Sequence, residues 1–550
     1  MPLQIPTRKS PVHSSFPTSP ADVRNWVEEL NTMPEGDRQR QLFRGLKHSN
    51  RLESNSRNRV DVLAILEPAV DGALDDLAAL YFEQPLPLPR KPLNAYKLAD
   101  GLLQELGFGW KIVVNDTYAS LLGGQSGLRA VAILHAMRIM GKTVLHHSLV
   151  YSPLPPRLLA DANNLYKLAE ESGLEHELQT LFDGSEEWSI QHAYLHLQMQ
   201  SLAAFKAQRR RQIPLISNFL ETLADHIELG KAQARYPQHE TWLGIHPEQD
   251  SPPQSWKQFS PAQRRGLRVF NLDNIKPQLQ RAEKSAPESL AREMETQVLR
   301  RKSISRVFEQ LQGGVSRRSQ RLICSRQIAA QPGIKEIHSL LARKVVRKGE
   351  DTISSSDSAE SWRVINSSQQ GVCLQWEGGR ASNLQVGELI ALLPSSEAAE
   401  STPLSLSTES KPDKLSSMQI GSVIWVEYRS ENILQCGVEL ISDEVAAVLV
   451  EGTTANTEGS RLECLLCIQT PSVTPSLTTK HSGDVSSSEE SKRSLPQRTL
   501  MTPPHIFQES GSLRVHHRGK SSDWLVKSRL NCTGGFDFFE LAPRTINPLS

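Results

Sequence analysis

The chain lacks an excess of charge of either sign: 62 Lys and Arg stand against 61 Asp and Glu in 550 residues, a net charge of +1 at pH 7. Such a balance argues against general attraction to nucleic acid or to an anionic membrane surface. Recognition of a phosphate has to come from local arginine clusters instead. Long apolar runs are missing as well. No window of 18 or more apolar residues occurs, and Arg129 and Arg138 interrupt the best stretch, Leu128 to Met140, which reads as a core helix. The opening MPLQIPTRKSPVHSSFP has no apolar stretch of the kind a signal peptide needs. A cytoplasmic protein without a membrane span is the expectation. Cysteine is scarce, with six residues in the whole chain, too few for a disulfide framework. Cys464 and Cys467 form a lone CxxC in the apolar run Leu462 to Ile468, with no second pair to complete a zinc site, and read as buried strand thiols. Neither paired carboxylates nor a Ser-His-Asp arrangement marks a catalytic centre, so no enzyme activity, cofactor or metal is expected.

What is present divides by period. A chain of this length exceeds one core and suggests several folding units. Residues 1–18, rich in Pro and Ser, read as disordered. Ser19-Pro20-Ala21-Asp22 then reads as a helix start, with a Ser cap, Pro in the first turn and an acidic residue three positions on. Helical periodicity recurs in Val60–Tyr81, Ala95–Leu106, Leu121–Met140, Leu158–Glu171, Ile190–Phe205 and Pro214–Leu229. Residues 19–235 are therefore expected to form an all-α array, and 236–312 a mixed helical connector that ends near Gly313-Gly314.

Beyond Gly313 the pattern turns to short β-branched and aromatic segments broken by turn residues: Val364–Ile365, Val372–Trp376, Leu389–Leu393, Gly421–Tyr428 and Cys436–Leu440. Residues 313–455 read as a β-barrel and 456–550 as an appended β segment. Three stretches, Glu350–Glu360, Ser395–Ser417 and Ser472–Ser494, are dominated by Ser, Thr, Glu and Lys and read as flexible inserts.

Two motifs flank the start of the β region. Arg317-Arg318-Ser319-Gln320-Arg321 is an RxxxR element before a strand-like segment, and Asn366-Ser-Ser-Gln-Gln-Gly371 fits [DN]xSxxG between two strands. Followed by Gly421-Ser-Val-Ile-Trp-Val-Glu-Tyr and Gln435-Cys-Gly-Val-Glu-Leu, they resemble the PilZ domains that bind cyclic di-GMP. The resemblance covers roughly Gly313 to Gly452. It implies that Arg317 and Arg321 contact phosphate and guanine while Asn366, Ser368 and Gly371 hold guanine. The chemistry suits those residue types. An arginine fork fills the adjacent N7 and O6 acceptors of guanine, or pairs with a phosphate oxygen. Asn and Ser offer short donors and acceptors, and Gly371 reads as a positive-φ position open to ligand.

The motif departs from the family pattern in its spacing: Arg321 lies 45 positions before Asn366 (366 − 321). A second pair, Arg343/Arg347, is closer, but no strand follows it. Other features have plainer readings. His192 and His196 stand four apart on a helix, but Ala193 occupies the position where a zinc metalloprotease carries glutamate. His146-His147 are adjacent and read as pointing apart. Gly123-Gly124-Gln125-Ser126-Gly127 reads as a helix–helix turn, with Ser126 or Gly127 as cap, and Lys206–Arg211 as a solvated basic helix end.

The leading expectation is a non-enzymatic bacterial second-messenger receptor: a β module for cyclic di-GMP and a helical region that docks a protein partner. The alternative is a degenerate PilZ-like interaction scaffold without nucleotide binding. A metal-dependent hydrolase in the helical region, through His192/His196, is the third reading.

Overall fold

The computed structural model of the chain describes residues 3–9, 16–119, 125–181, 187–233, 236, 241–285, 301–311, 321–346, 360–376, 378, 384–394, 418–430, 433–452, 460–469 and 497–544. Two compact units result, one essentially residues 1–287 with 296–316 and the other essentially the chain from Arg317 onward. The order is helices first and β structure second, as the change of period implies.

The first unit opens with α1 (Pro20–Leu30), and its start follows the cap chemistry. The Ser19 side chain accepts from the Asp22 backbone N–H at 3.2 Å and donates to the Asp22 carboxylate at 2.6 Å. Next come α2 (Glu35–Ser49), α3 (Ser56–Tyr81), α4 (Arg90–Ala119), α5 (Ser126–Ser148) and α6 (Leu158–Ser172). A two-residue strand pair, β1 (Gln179–Thr180) and β2 (Glu187–Trp188), precedes α7 (Ile190–Leu202) and α8 (Ile213–Ala224). Helix α2 was not expected. Its sequence EGDRQRQLFRGLKHS carries large apolar side chains only at Leu42, Phe43 and Leu46, too few to reveal a stripe.

Polar side chains tie these helices together where burial would otherwise penalise them. Glu67 on α3, 3% exposed, accepts from Trp110 Nε1 of α4 at 2.9 Å and lies 3.0 Å from His135 Nδ1 of α5. Arg138 approaches the same carboxylate at 3.6 Å. Lys111 of α4 pairs with Asp161 of α6 at 2.6 Å, and Asn163 of α6 accepts from Tyr194 and Gln198 of α7. A buried carboxylate is tolerated only when so compensated, since an unmade bond to a buried charged group costs several kcal/mol, of order 3–5 when one partner is removed.

Three expectations for this unit need correction. Residues 3–9 are packed rather than disordered: Leu3 is buried, Lys9 bridges to Leu52, and Arg8 forks onto Asp116 at 2.6 and 2.8 Å. The basic run Lys206–Arg211 is not a solvated helix end. It forms two short 3-10 turns in which Arg210 is buried and donates to the Gln84 carbonyl at 2.8 Å, while Arg211 meets Glu83. A four-stranded sheet begins within the end of the expected all-α array and continues into the expected mixed helical connector, ahead of its helices. The sheet comprises β3 (Leu229–Lys231), β4 (Trp242–Ile245), β5 (Gln254–Ser255) and β6 (Arg268–Asn271), in the order β3-β6-β4-β5. Buried Arg268 of β6 ties it to α6 through Glu170 at 2.7 Å. Helices α9 (Lys276–Ser285) and α10 (Arg301–Leu311) follow. Gly123 and Gly124 lie outside the described residues, and α5 starts at Ser126 without a side-chain cap bond.

The second unit contains two closed barrels. The first uses β7 (Leu322–Pro332), then, after helix α11 (Ile334–Val346), β8 (Glu360–Ser367), β9 (Gly371–Trp376), β10 (Leu389–Pro394), β11 (Gln419–Ser430) and β12 (Ile433–Ser442). They close in the order β10-β11-β12-β9-β8-β7. The second uses β13 (Val445–Gly452), β14 (Leu462–Gln469), β15 (Gln497–Thr502), β16 (Ser512–His517), β17 (Lys520–Cys532) and β18 (Asp537–Pro543), ordered β13-β14-β15-β18-β17-β16. The appended β segment is thus itself a barrel, and β13, read as part of the first, belongs to it. The Ser-rich inserts lie outside the described residues apart from Glu360, which starts β8.

Helix α11 fastens the two barrels. Its Ile337 and Leu341 are buried with Leu389, Ala391 and Ile420 of the first barrel and Leu465, Cys467, Met501, Phe536 and Phe538 of the second half. Thr533 donates to the Gly387 carbonyl across the same seam.

Two outcomes are expected. Glu67→Ala, which strands buried donors, should lower stability by about 3–5 kcal/mol, read from the midpoint of urea unfolding. Burial tends to raise the Glu67 carboxyl, but the His135 hydrogen bond and the His135, Lys142 and Arg138 charges hold it below its ordinary 4.5. Its stabilisation is therefore full above pH 4.5 and lost as the pH falls through the depressed value. Ile337→Ala should cost about 2–5 kcal/mol and lower both barrels together in a single calorimetric transition.

Candidate functional site

Strands β7 and β8 run antiparallel, with Leu322 opposite Ser367 and Ile323 opposite Asn366. A bulge follows, so that Arg326 faces Val364. Helix α11 and the segment to residue 359 fill the chain between the two strands. The 45-residue separation of Arg321 from Asn366 therefore closes to neighbouring strands. Exposed Arg321 immediately precedes Leu322, beside the Ser367–Ser368 end of β8. Arg317 lies outside the described residues, as does Arg347, and Arg343 stands exposed on α11 rather than at this strand edge.

A second irregularity, between Val364 and Asn366 in the β8–β9 ladder, leaves Asn366 opposite Cys373. Bulges on both sides of one residue re-aim its side chain relative to a regular pleat. The half-buried Asn366 amide makes no hydrogen bond among the described residues. The turn beyond it is closed by its own polar atoms. Ser368 N donates to the Gly371 carbonyl at 2.8 Å, Ser368 Oγ to the same carbonyl at 3.1 Å, and Gly371 N to Ser368 Oγ at 3.2 Å. Gln369 and Gln370 are exposed at the tip, and the Gln370 carbonyl accepts from Leu440 N of β12 at 2.9 Å.

Gly371 corrects the reading from sequence. It is not among the positive-φ glycines, and a Cβ there would meet the Val438 carbonyl of β12 at 2.6 Å. Close approach is required, but by a neighbouring strand. A Cβ on Gly437 would likewise fall 2.6 Å from Trp425 Cδ1. Gly371 lets β12 lie close beneath the turn, and Gly437 makes room for the Trp425 indole of β11.

Sequence reasoning missed Leu322 and Ile323, which are 68% and 93% exposed at the start of β7, next to Arg321 and Asn366. Period alone does not say which face of a strand is wet; only the register with β8 does.

The remaining candidates resolve by geometry. Cys464 and Cys467 are fully buried and three apart on β14, hence on opposite faces: Cys464 joins the core inside the second barrel and Cys467 the seam with the first. Burial pushes the Cys467 thiol up to about 12 and Cys464 higher still. They do not chelate together. His192 lies 2.5 Å from Asp225, and His196 Nε2 pairs with the Ser217 carbonyl at 3.0 Å, so the two imidazoles serve different partners. His146 and His147 do not point apart. Both are buried near the end of α5, their ring centroids 5.4 Å apart.

Residues 21–234 match the family described as "Cyclic-di-GMP receptor FimW, N-terminal domain". The chain resembles a cyclic-di-GMP receptor. Cyclic-di-GMP receptor FimW of Pseudomonas aeruginosa (strain PAO1) is 25% identical over 233 residues, 42% of this chain and 38% of that relative. The chain thus spans well under half the length of the curated relative it matches. No solved structure matches. The family match falls on the helical unit, whereas the motifs quoted above fall on the barrel. The likeness to a cyclic-di-GMP receptor therefore rests on the helical unit. Among the described residues no helix is long and apolar enough to cross a membrane.

Gly371→Ala is expected to lower the melting temperature of the β unit, by the equivalent of about 1–3 kcal/mol, because the Val438 carbonyl must move. A glycine that serves ligand access alone would leave the melting temperature of the ligand-free protein unchanged.

Proposed function

We propose that the first barrel binds cyclic di-GMP at the β7–β8 edge, through Arg317, Arg321, Asn366, Ser368 and Gly371, and that the helical unit carries the response to a protein partner. The register that brings Arg321 beside the Asn366–Gly371 turn carries this reading. It joins the two halves of the motif despite the inserted helix, and the likeness of the helical unit to a named cyclic-di-GMP receptor supports the same ligand.

In this reading the residues divide the labour. Arg321 supplies an exposed planar fork for a phosphate or for the N7/O6 edge of guanine. Asn366 has an amide to spare for a base edge. Ser368 and Gly371 act chiefly through the turn they close, presenting the hairpin at a fixed height. Exposed Ile323 offers an apolar face on which a purine can lie. The arginine-bearing segment joins the two units in sequence, so a ligand held there can bias any equilibrium in which its contacts differ between states. The protein acts in this scheme as a receptor in the cytoplasm, without chemistry on the nucleotide.

The same observations allow a second reading. Leu322 and Ile323 form an apolar edge, and the Ser368 hydroxyl is already used within the turn, as in a scaffold that binds protein and no nucleotide. Calorimetric titration separates the two. Saturable binding of cyclic di-GMP at micromolar concentration is expected, with Arg321→Ala weakening it at least about tenfold and Arg321→Lys failing to restore it. Absence of heat from the intact protein would leave the scaffold reading.

A further inference from the structure

The helical unit holds a cluster that the proposed receptor role does not use. Asp100 on α4 and His146 and His147 on α5 each offer one ligand atom, and these atoms lie within 4.8 Å of one another. The two imidazoles are oriented alike by tyrosines: Tyr81 OH bonds His146 Nδ1 at 2.8 Å, and Tyr96 OH bonds His147 Nδ1 at 3.1 Å. His147 Nε2 then faces Asp100 Oδ1 at 3.0 Å. His146 Nε2 is buried and has no hydrogen-bond partner. A buried ring nitrogen left unpaired is costly and calls for an explanation.

We propose that Asp100, His146 and His147 form a divalent transition-metal site, of zinc type, with Tyr81 and Tyr96 as its outer support. Two imidazoles and one carboxylate are a common donor set for Zn²⁺, which takes nitrogen at about 2.0–2.1 Å and tolerates a water as fourth ligand. A 3.0 Å Nε2–Oδ1 separation already approximates one edge of such a polyhedron. Hydrogen bonds to the far nitrogen of each histidine are what metal-binding imidazoles usually possess, since they fix tautomer and ring plane. The His146 ring is held further by stacking on Tyr96, centroids 4.5 Å apart. Asp100, with its side chain 42% exposed, gives an ion a route in from solvent.

A second group, His505, Cys532 and Asp537, also lies within ligand distance, in the second barrel, and has to be separated experimentally. Chelator-treated full-length protein is titrated with Co²⁺ and then Zn²⁺, with circular dichroism of each variant as a check on folding. The expected result is one saturable equivalent with a visible ligand-field spectrum, no thiolate charge-transfer band, and displacement by Zn²⁺. Asp100→Asn, at a partly exposed position, should weaken binding at least about tenfold, and Tyr81→Phe by a smaller factor. Cys532→Ser should leave binding unchanged. No saturable Co²⁺ binding by the folded protein, undiminished binding in folded Asp100→Asn, or loss of the signal in Cys532→Ser would each overturn the assignment. The test involves no nucleotide, so its outcome is independent of the receptor reading.

Discussion

The β unit depends on the apolar face of α11. Strands β7 and β8 are neighbours in the first barrel, yet the chain between them leaves the sheet as a helix and returns. That excursion is stable because Ile337 and Leu341 find a core made by both barrels at once. Burial of two such side chains is worth roughly 3–6 kcal/mol, taking 1.5–3 for each. This helps to offset the entropy of closing a long loop, which grows only slowly with loop length. The register that unites Arg321 with the Asn366 turn is a product of the same packing.

In the helical unit the corresponding role falls to buried and half-buried polar groups. Glu67, Asp161, Asn163 and Glu170 each connect their own helix to another element, with partners at hydrogen-bond distance. Apolar stripes alone permit several helix arrangements of similar energy. A carboxylate that must meet an indole N–H and an imidazole together admits far fewer. In this respect the array gains a defined register from interactions that contribute little net stability.

Legibility in the sequence followed the range of the forces involved. Helix α1 was readable because Ser19, Pro20 and Asp22 act within one turn, and α3 to α8 because each repeats an apolar position every turn. The strand segments of the first barrel were readable for a similar local reason, alternation between turn residues. What escaped was set by partners distant in sequence. Gly371 looked like a residue chosen for its own dihedral freedom, and only Val438, brought in by β12, shows why it lacks a side chain. Leu3 and Arg8 sat in a Pro- and Ser-rich opening and gave no sign of Asp116 waiting on α4. Closure of the second barrel was equally hidden, because it joins strands across the long polar stretch between β14 and β15 and pairs β13 with β16, far apart in sequence. At the candidate site the residue types were legible in sequence and their adjacency was not.

The helix that fastens the barrels also decides what can be cut from this protein. A fragment ending after β12 would keep all six strands of the first barrel and both halves of the proposed motif. It would also uncover Ile337, Leu341, Leu389 and Ile420, whose cover comes from Leu465, Met501 and Phe538. Such an apolar patch invites aggregation whatever the state of the barrel beneath it. A fragment that runs on to the end of β18 keeps that shared core covered, because Leu465, Met501 and Phe538 stay in place over Ile337 and Leu341.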